Sequence, residues 1–260
     1  MTMIAPGRTI GILGGGQLGR MLASAANQLG FDVHIFCPET DSPASRAARK
    51  TWTADYLDAD ALRDFAKSCD VVTLEFENIP VEATDIITAC GVPLHPGPKA
   101  LAISQDRAEE KAFLNGIGIP TAPYEVIESA SDIPRALDRV GGTGVLKTRR
   151  DGYDGKGQAW VRDPDEAEAA WSAIGEAPAV LEAAIPFECE ISVIVARSSK
   201  GETLSWAPPR NVHEDGILAR SIAPSGLSKA VETEAREKAM KLVGALDYVG
   251  VLALEFFVLS

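Results

Sequence analysis

Thr9-Ile10-Gly11-Ile12-Leu13-Gly14-Gly15-Gly16-Gln17-Leu18-Gly19-Arg20-Met21 sets an apolar, β-prone run before a glycine turn and a segment of helical composition. That order is the first βα unit of an open parallel sheet. Working outward, β-prone runs recur at residues 33–36 and 71–74, and the segments at 17–29 and 59–67 carry apolar residues at i, i+3 and i+4. Past the helix predicted at 107–114, Gly118-Ile119-Pro120 punctuates the chain and the rhythm changes. Short strands are predicted at 126–127, 144–148, 159–161 and 179–182, with helices at 133–139 and 164–174. Two antiparallel neighbours (190–197 and 203–206), a long helix (229–246) and a last strand (250–259) follow. The expected class is α/β, an open parallel βαβ domain over residues 1–105 followed by an α+β domain over 106–260.

Composition narrows the function. The 260 residues are 46% hydrophobic and 24% charged, enough to bury a core and unlike a disordered chain. Lysine and arginine number 25 against 37 acidic residues, a net charge of −12 that disfavours nucleic acid and anionic membranes as partners. Any phosphate site must therefore be local. The four cysteines show no C-x-x-C pair, and we expect reduced thiols in a soluble, cytoplasmic protein. The longest apolar run, residues 249–259, is too short to span a bilayer and is interrupted by Glu255.

Gly14-x-Gly16-x-x-Gly19, with Glu39 about 20 residues on, fits the dinucleotide pattern. A nicotinamide-dependent oxidoreductase is one reading of it, a substrate-phosphate turn a second, a purely structural turn a third. Lys147-Thr-Arg-Arg-Asp-Gly-Tyr-Asp-Gly-Lys-Gly-Gln158 is sharper. A strand delivers Lys147, and Gly152, Gly155 and Gly157 lie among Arg149, Arg150 and Lys156, so backbone amides and cations can meet phosphate oxygens. Glu182 and Glu190 flank an apolar stretch suited to an adenine amine and ribose hydroxyls. Glu75 and Glu77, just after a strand, are expected to point the same way toward a hydroxylated or amino ligand. Glu255 reads as a buried carboxylate in an apolar strand, costly unless a cation such as Mg²⁺ meets it. No Ser-His-Asp or Cys-His order recommends nucleophilic catalysis.

Taken with Thr73-Leu-Glu-Phe-Glu-Asn-Ile-Pro80, Gln105-Asp-Arg107 with Lys111, Asn211-Val-His-Glu-Asp-Gly-Ile-Leu218 and Tyr248-Val-Gly-Val-Leu-Ala-Leu-Glu255, these segments resemble the N5-carboxyaminoimidazole ribonucleotide synthetases, ATP-grasp enzymes of purine biosynthesis. The resemblance implies a pre-ATP-grasp, Rossmann-like domain, then an ATP-grasp domain with a linker helix, a central lid subdomain at about 120–185 and the start of a C-terminal subdomain at about 186–260. It implies an ATP-dependent carbon-nitrogen ligase that makes carboxyphosphate from ATP and bicarbonate and carboxylates 5-aminoimidazole ribonucleotide, working as a homodimer with Mg²⁺ or Mn²⁺.

Carried over by residue, ATP falls to Arg107, Lys147, Gly152, Tyr153, Asp154, Gly155, Lys156, Gly157, Gln158, Glu182, Ala183, Ala184, Ile185, Glu190 and His213. Lys147, Arg107 and Asp154 carry the chemistry among them. The ribonucleotide falls to Gly15, Gly16, Gln17, Leu18, Glu75, Glu77, Tyr153 and Asp154, and the metal to Glu255. The family's second metal carboxylate and its Arg-x-His-Asn-Ser-Gly-His segment have no counterpart before Ser260, which suggests a truncated form, and a non-catalytic nucleotide-binding fragment stands as a further alternative.

Overall fold

In a computed structural model of the protein, residues 4–152, 156–214 and 216–259 are described. Two units emerge, Met1–Ala102 with Tyr248–Gly250 and Ile103–Asp247 with Val251–Ser260.

The first unit runs β1 (Thr9–Leu13), α1 (Gln17–Gln28), β2 (Asp32–Cys37), β3 (Lys50–Thr53), α2 (Ala59–Lys67), β4 (Val71–Leu74) and α3 (Val81–Ala89), with α4 (Pro98–Ser104) at the division. Its sheet has the order β3-β2-β1-β4 with every pairing parallel. Alternation along the strands feeds two cores. Leu13, Phe36 and Val72 pack with Leu62 and Phe65 of α2 and Ile87 of α3, while Ile12, Val33 and Ile35 pack with Ala23 and Ala26 of α1. Helices therefore cover both faces, and ligand-facing groups gather where the strands end. Gly11 is glycine for want of room, since a Cβ there would stand 2.7 Å from both Cys69 Sγ and Phe65 Cζ. Burial pushes the thiol of half-buried Cys69 up to about 11 despite the Ser68 hydroxyl beside it, which disfavours a thiolate there.

In the second unit α5 (Arg107–Gly116) leads into β5 (Tyr124–Ile127), α6 (Ile133–Arg139), β6 (Gly144–Thr148), β7 (Gln158–Val161), α7 (Ala167–Ala173) and β8 (Ala179–Ala183). These strands form an antiparallel sheet in the order β5-β8-β6-β7. Ile127, Leu146, Val161 and Leu181 turn one face into a core with Ala136 and Leu137 of α6 and Ala170 of α7. The opposite face carries Tyr124, Val145, Lys147, Glu182 and Trp160 by alternation, and Trp160 on it is exposed. Then follow β9 (Cys189–Arg197), β10 (Thr203–Ser205), β11 (Arg210–Glu214), β12 (Ile217–Ile222), α8 (Lys229–Ala245) and β13 (Gly250–Val258). They build a second sheet, β10-β9-β11-β12 with β13 also on β9.

The α/β class and the antiparallel β9/β10 pair agree with the sequence reading. Strand β3, helices α3 and α4, and the β11/β12 hairpin are additions to it. Two site expectations need correction. The strand carrying Thr73 ends at Leu74, so Glu75 and Glu77 lie in a turn where the two-residue alternation no longer applies. Glu255 is exposed, as are Val251, Ala253 and Phe257 on the same alternation, so it is not a carboxylate buried in an apolar strand.

Candidate functional site

The glycine turn holds a carboxylate of this chain. Gly16 caps α1 in extended conformation, and its N–H donates to Glu75 Oε2 at 2.7 Å. A Cβ on Gly14, at φ +119°, or on Gly16 would collide with the Glu75 carboxylate, and one on Gly15 would stand 2.6 Å from Cys37 Sγ. The helix's positive end is thus already met by an anion, and a dinucleotide pyrophosphate would have to displace it. The oxidoreductase reading loses its motif here. Gln17 and Leu18 start α1 with exposed side chains, and Glu77 and Glu39 are exposed as well.

In the second unit, Lys147 of β6 reaches Glu182 Oε2 on the adjacent β8 at 2.9 Å, while Lys111 of α5 reaches Oε1 at 3.2 Å. Glu182 is 7% exposed. Burial opposes its ionisation, but the Lys147 and Lys111 ammoniums outweigh that and hold the carboxyl below its ordinary value. The three groups sit on the sheet face opposite the helical core. Beyond Glu182 the chain leaves the strand through Ala183, Ala184 and Ile185, all half-buried, with the Ala183 and Ala184 N–H groups donating to the carbonyls of Pro123 and Thr143. An adenine read by this segment must use its other backbone groups.

Arg107 clamps the entry to the glycine loop. Its Nε donates to the Thr148 carbonyl at 3.1 Å and its Nη2 to the Gly152 carbonyl at 3.0 Å. Gly152 and Gly157 close on one side chain, since a Cβ at either would stand 3.0 or 2.7 Å from Thr148 Oγ1. Two of the three loop glycines therefore answer to backbone packing as well as to any ligand, and Gly157 also needs its φ of +66°.

Arg149 is not a free cation. Its Nε and Nη2 bind Asp106 at 2.8 to 3.1 Å, and Asp106 also caps α5 by accepting from the Ala108 N–H. The expected cationic island is thinner than its sequence suggests, with Arg149 spent internally and Arg150 3.7 Å from the same carboxylate. Lys156 and Gln158 are exposed at the far end of the loop. Tyr153, Asp154 and Gly155 lie outside the described residues.

On the second sheet Glu190 faces His213, with Oε2 and Nδ1 3.1 Å apart. The pair is off the line of a hydrogen bond, which leaves Nδ1 buried without an aligned partner. Asn211, opposite Glu190 across β9/β11, is buried and accepts from Ser221. Glu255 offers one exposed carboxylate, and among the described residues no group of three or more His, Cys, Asp or Glu side chains is assembled to hold a metal. A nucleotide-borne divalent ion asks for less, one or two carboxylates plus phosphate oxygens. The donor set fits such an ion and not a closed protein cage. Sequence reading assigned no role to Lys111, Asp106 or Asn211; the i, i+4 spacing of Arg107 and Lys111 was the available signal for the first.

Residues 112–260 match the ATP-grasp domain and residues 7–105 the ribonucleotide synthetase preATP-grasp domain. With the lysine pair on the sheet face away from the helical core, the second unit defines an ATP-grasp protein. The N5-carboxyaminoimidazole ribonucleotide synthase of Brucella melitensis is 49% identical over 100% of this chain and 72% of its own. A crystal structure of the ADP complex of an N5-carboxyaminoimidazole ribonucleotide synthetase superposes with a TM-score of 0.93 at 37% identity, over 99% of this chain and 68% of the other. The Aspergillus clavatus enzyme in complex with ADP and 5-aminoimidazole ribonucleotide gives 0.86 at 30%, over 98% and 67%. This chain belongs to the N5-carboxyaminoimidazole ribonucleotide synthase family.

Proposed function

We propose that the chain binds ATP on the face of the β5-β8-β6-β7 sheet turned away from its helical core and uses it, with bicarbonate, to carboxylate the exocyclic amine of 5-aminoimidazole ribonucleotide. The observation that carries this is the convergence of Lys147 and Lys111 on buried Glu182 beside the Arg107-clamped loop. It stores positive charge where a triphosphate would lie. Attack of a bicarbonate oxygen on the γ-phosphorus gives ADP and carboxyphosphate, and the amine then takes the carboxyl group with release of phosphate. Such a reaction asks the protein for positioning and charge, not for a nucleophile.

In this reading Lys147, Arg107 and Asp154 serve the phosphates, and the loop residues Gly152 to Gln158 are assigned to the nucleotide. Glu182, Ala183, Ala184 and Ile185 border the adenine, and Glu190 and His213 the ribose. Glu75, Glu77 and the Gly15 to Leu18 turn serve the ribonucleotide with Tyr153. Glu255 would add a carboxylate to Mg²⁺ or Mn²⁺ carried by the phosphates, and the ion would supply charge neutralisation there. A cytoplasmic homodimer is the form in which we place it. The cysteines are unpaired, and among the described residues no helix is long and apolar enough to cross a membrane.

The test is ADP formation that requires both 5-aminoimidazole ribonucleotide and bicarbonate. ATP hydrolysis indifferent to the ribonucleotide would contradict the assignment. Glu190→Ala should weaken ATP binding by about 1 to 3 kcal/mol through lost ribose hydrogen bonds. Unchanged affinity by calorimetry would leave Glu190 as a partner of His213 alone.

A further inference from the structure

Glu182 has two ammonium partners where one would neutralise it, and the two are not equivalent. Each carboxylate oxygen has its own lysine, Oε1 with Lys111 at 3.2 Å and Oε2 with Lys147 at 2.9 Å. The Lys111 side chain is 12% exposed and that of Lys147 24%. Lys111 hangs from α5, whose first turn is fixed by the Asp106 cap and the Arg149 pair, and its ammonium lies 5.5 Å from the centre of the Tyr124 ring. Lys147 stands next to Thr148, where Arg107 grips the backbone and the glycine loop begins. Lys111 is built in; Lys147 stands toward the loop.

We propose that Lys111 is a positioning residue that keeps Glu182 ionised and in place when nucleotide phosphates draw Lys147 away. The proposal rests on the reading of Lys147 as a phosphate ligand. A carboxylate buried this deeply, stripped of its only cation, would have to take up a proton or pull the lysine back, and either competes with nucleotide binding. With Lys111 held on Oε1, Lys147 leaves one oxygen of a carboxylate that keeps a cation. The other charged groups near the pair are Arg107, bonded to the Thr148 and Gly152 carbonyls, and Glu110 on α5. Burial raises the Glu110 carboxyl, against the pull of Arg107 and Lys111, so Glu182 is the stronger acid and the lysines' principal counterion.

The experiment is a thermodynamic cycle with ADP as the probe, by isothermal titration calorimetry on the parent chain, Lys111→Met, Glu182→Gln and the double variant. Lys111→Met should weaken ADP binding at least tenfold in the parent and less than twofold in the Glu182→Gln background, where no buried charge needs a spare cation. Lys111→Arg should bind like the parent. An equal loss from Lys111→Met in both backgrounds, or none in the parent, overturns the proposal. A Lys147→Met control separates the two claims. If it binds ADP as tightly as the parent, the phosphate reading itself has failed; if it binds weakly while Lys111 and Glu182 show no coupling, only the positioning role has failed. Should Lys111→Met lack a cooperative melting transition, Lys111→Gln takes its place in both backgrounds, and an equal loss of ADP affinity in the two overturns the proposal.

Discussion

Lys147→Met should weaken ATP binding by about 10- to 150-fold, the range set by one charge-assisted hydrogen bond of about 1.5 to 3 kcal/mol. The strand should survive the change, because the side chain lies on the face away from Leu146 and leaves that core untouched. A second effect has a sign fixed by linkage. Glu182 is held below its ordinary value, so its stabilisation is complete above the unfolded-state pKa and is lost as pH falls through the lowered folded-state value. Removing Lys147 brings that folded value up. Acid unfolding of Lys147→Met should therefore begin at higher pH than in the parent. Undiminished ATP affinity by calorimetry, or an unmoved acid transition by circular dichroism, would count against the role given to this lysine.

Asp106→Ala should be the most destabilising single change at the site, by about 3 kcal/mol, since it strands the partly buried Arg149 guanidinium and removes the cap of α5 at once. Asp106 is 4% exposed, and its carboxyl is pulled below the ordinary value against burial, chiefly by the Arg149 hydrogen bonds. Asp106→Asn keeps a capping side chain and loses the charge, so it should cost less than the alanine variant. Urea unfolding with unchanged slopes would read the two midpoints directly. Equal stability of parent and Asp106→Ala would mean that Glu128, 3.3 Å from Arg149, suffices as its counterion.

The first βα unit was legible because three local signals agree on it. Residues 9–13 are β-prone, the glycines permit a tight turn, and residues 17–28 have helical composition. Residues 71–74 and 144–148 are also strands as read. Strand β3 was missed because Lys50-Thr-Trp-Thr53 is an edge strand with exposed ends and little apolar alternation. The β11/β12 hairpin was missed for a related reason: Arg210-Asn-Val-His-Glu214 carries polar residues on both faces, and Ile217–Ile222 is exposed throughout.

At the site, Lys147 and Glu182 could be singled out one by one, but their pairing could not, since 35 positions separate them. Arg149 misled for the same cause. Its neutralising partner lies 43 residues upstream, and local charge density read the loop as more cationic than it is. The glycine turn shows the converse, a pattern shared with dinucleotide folds whose tightness here accommodates Glu75, 59 positions from Gly16.

We propose that bicarbonate attacks the γ-phosphorus of ATP with one of its own oxygens. Bicarbonate labelled with ¹⁸O, supplied with ATP, a divalent cation and 5-aminoimidazole ribonucleotide, should deliver one labelled oxygen to each inorganic phosphate released. Attack on the γ-phosphorus leaves that bridging atom on the phosphate when the carboxyl group departs. Mass spectrometry of the phosphate reads the transfer directly. Label at the stoichiometry of carboxylated product is the predicted result, and phosphate carrying only solvent oxygen, at a normal rate of ADP formation, would contradict it.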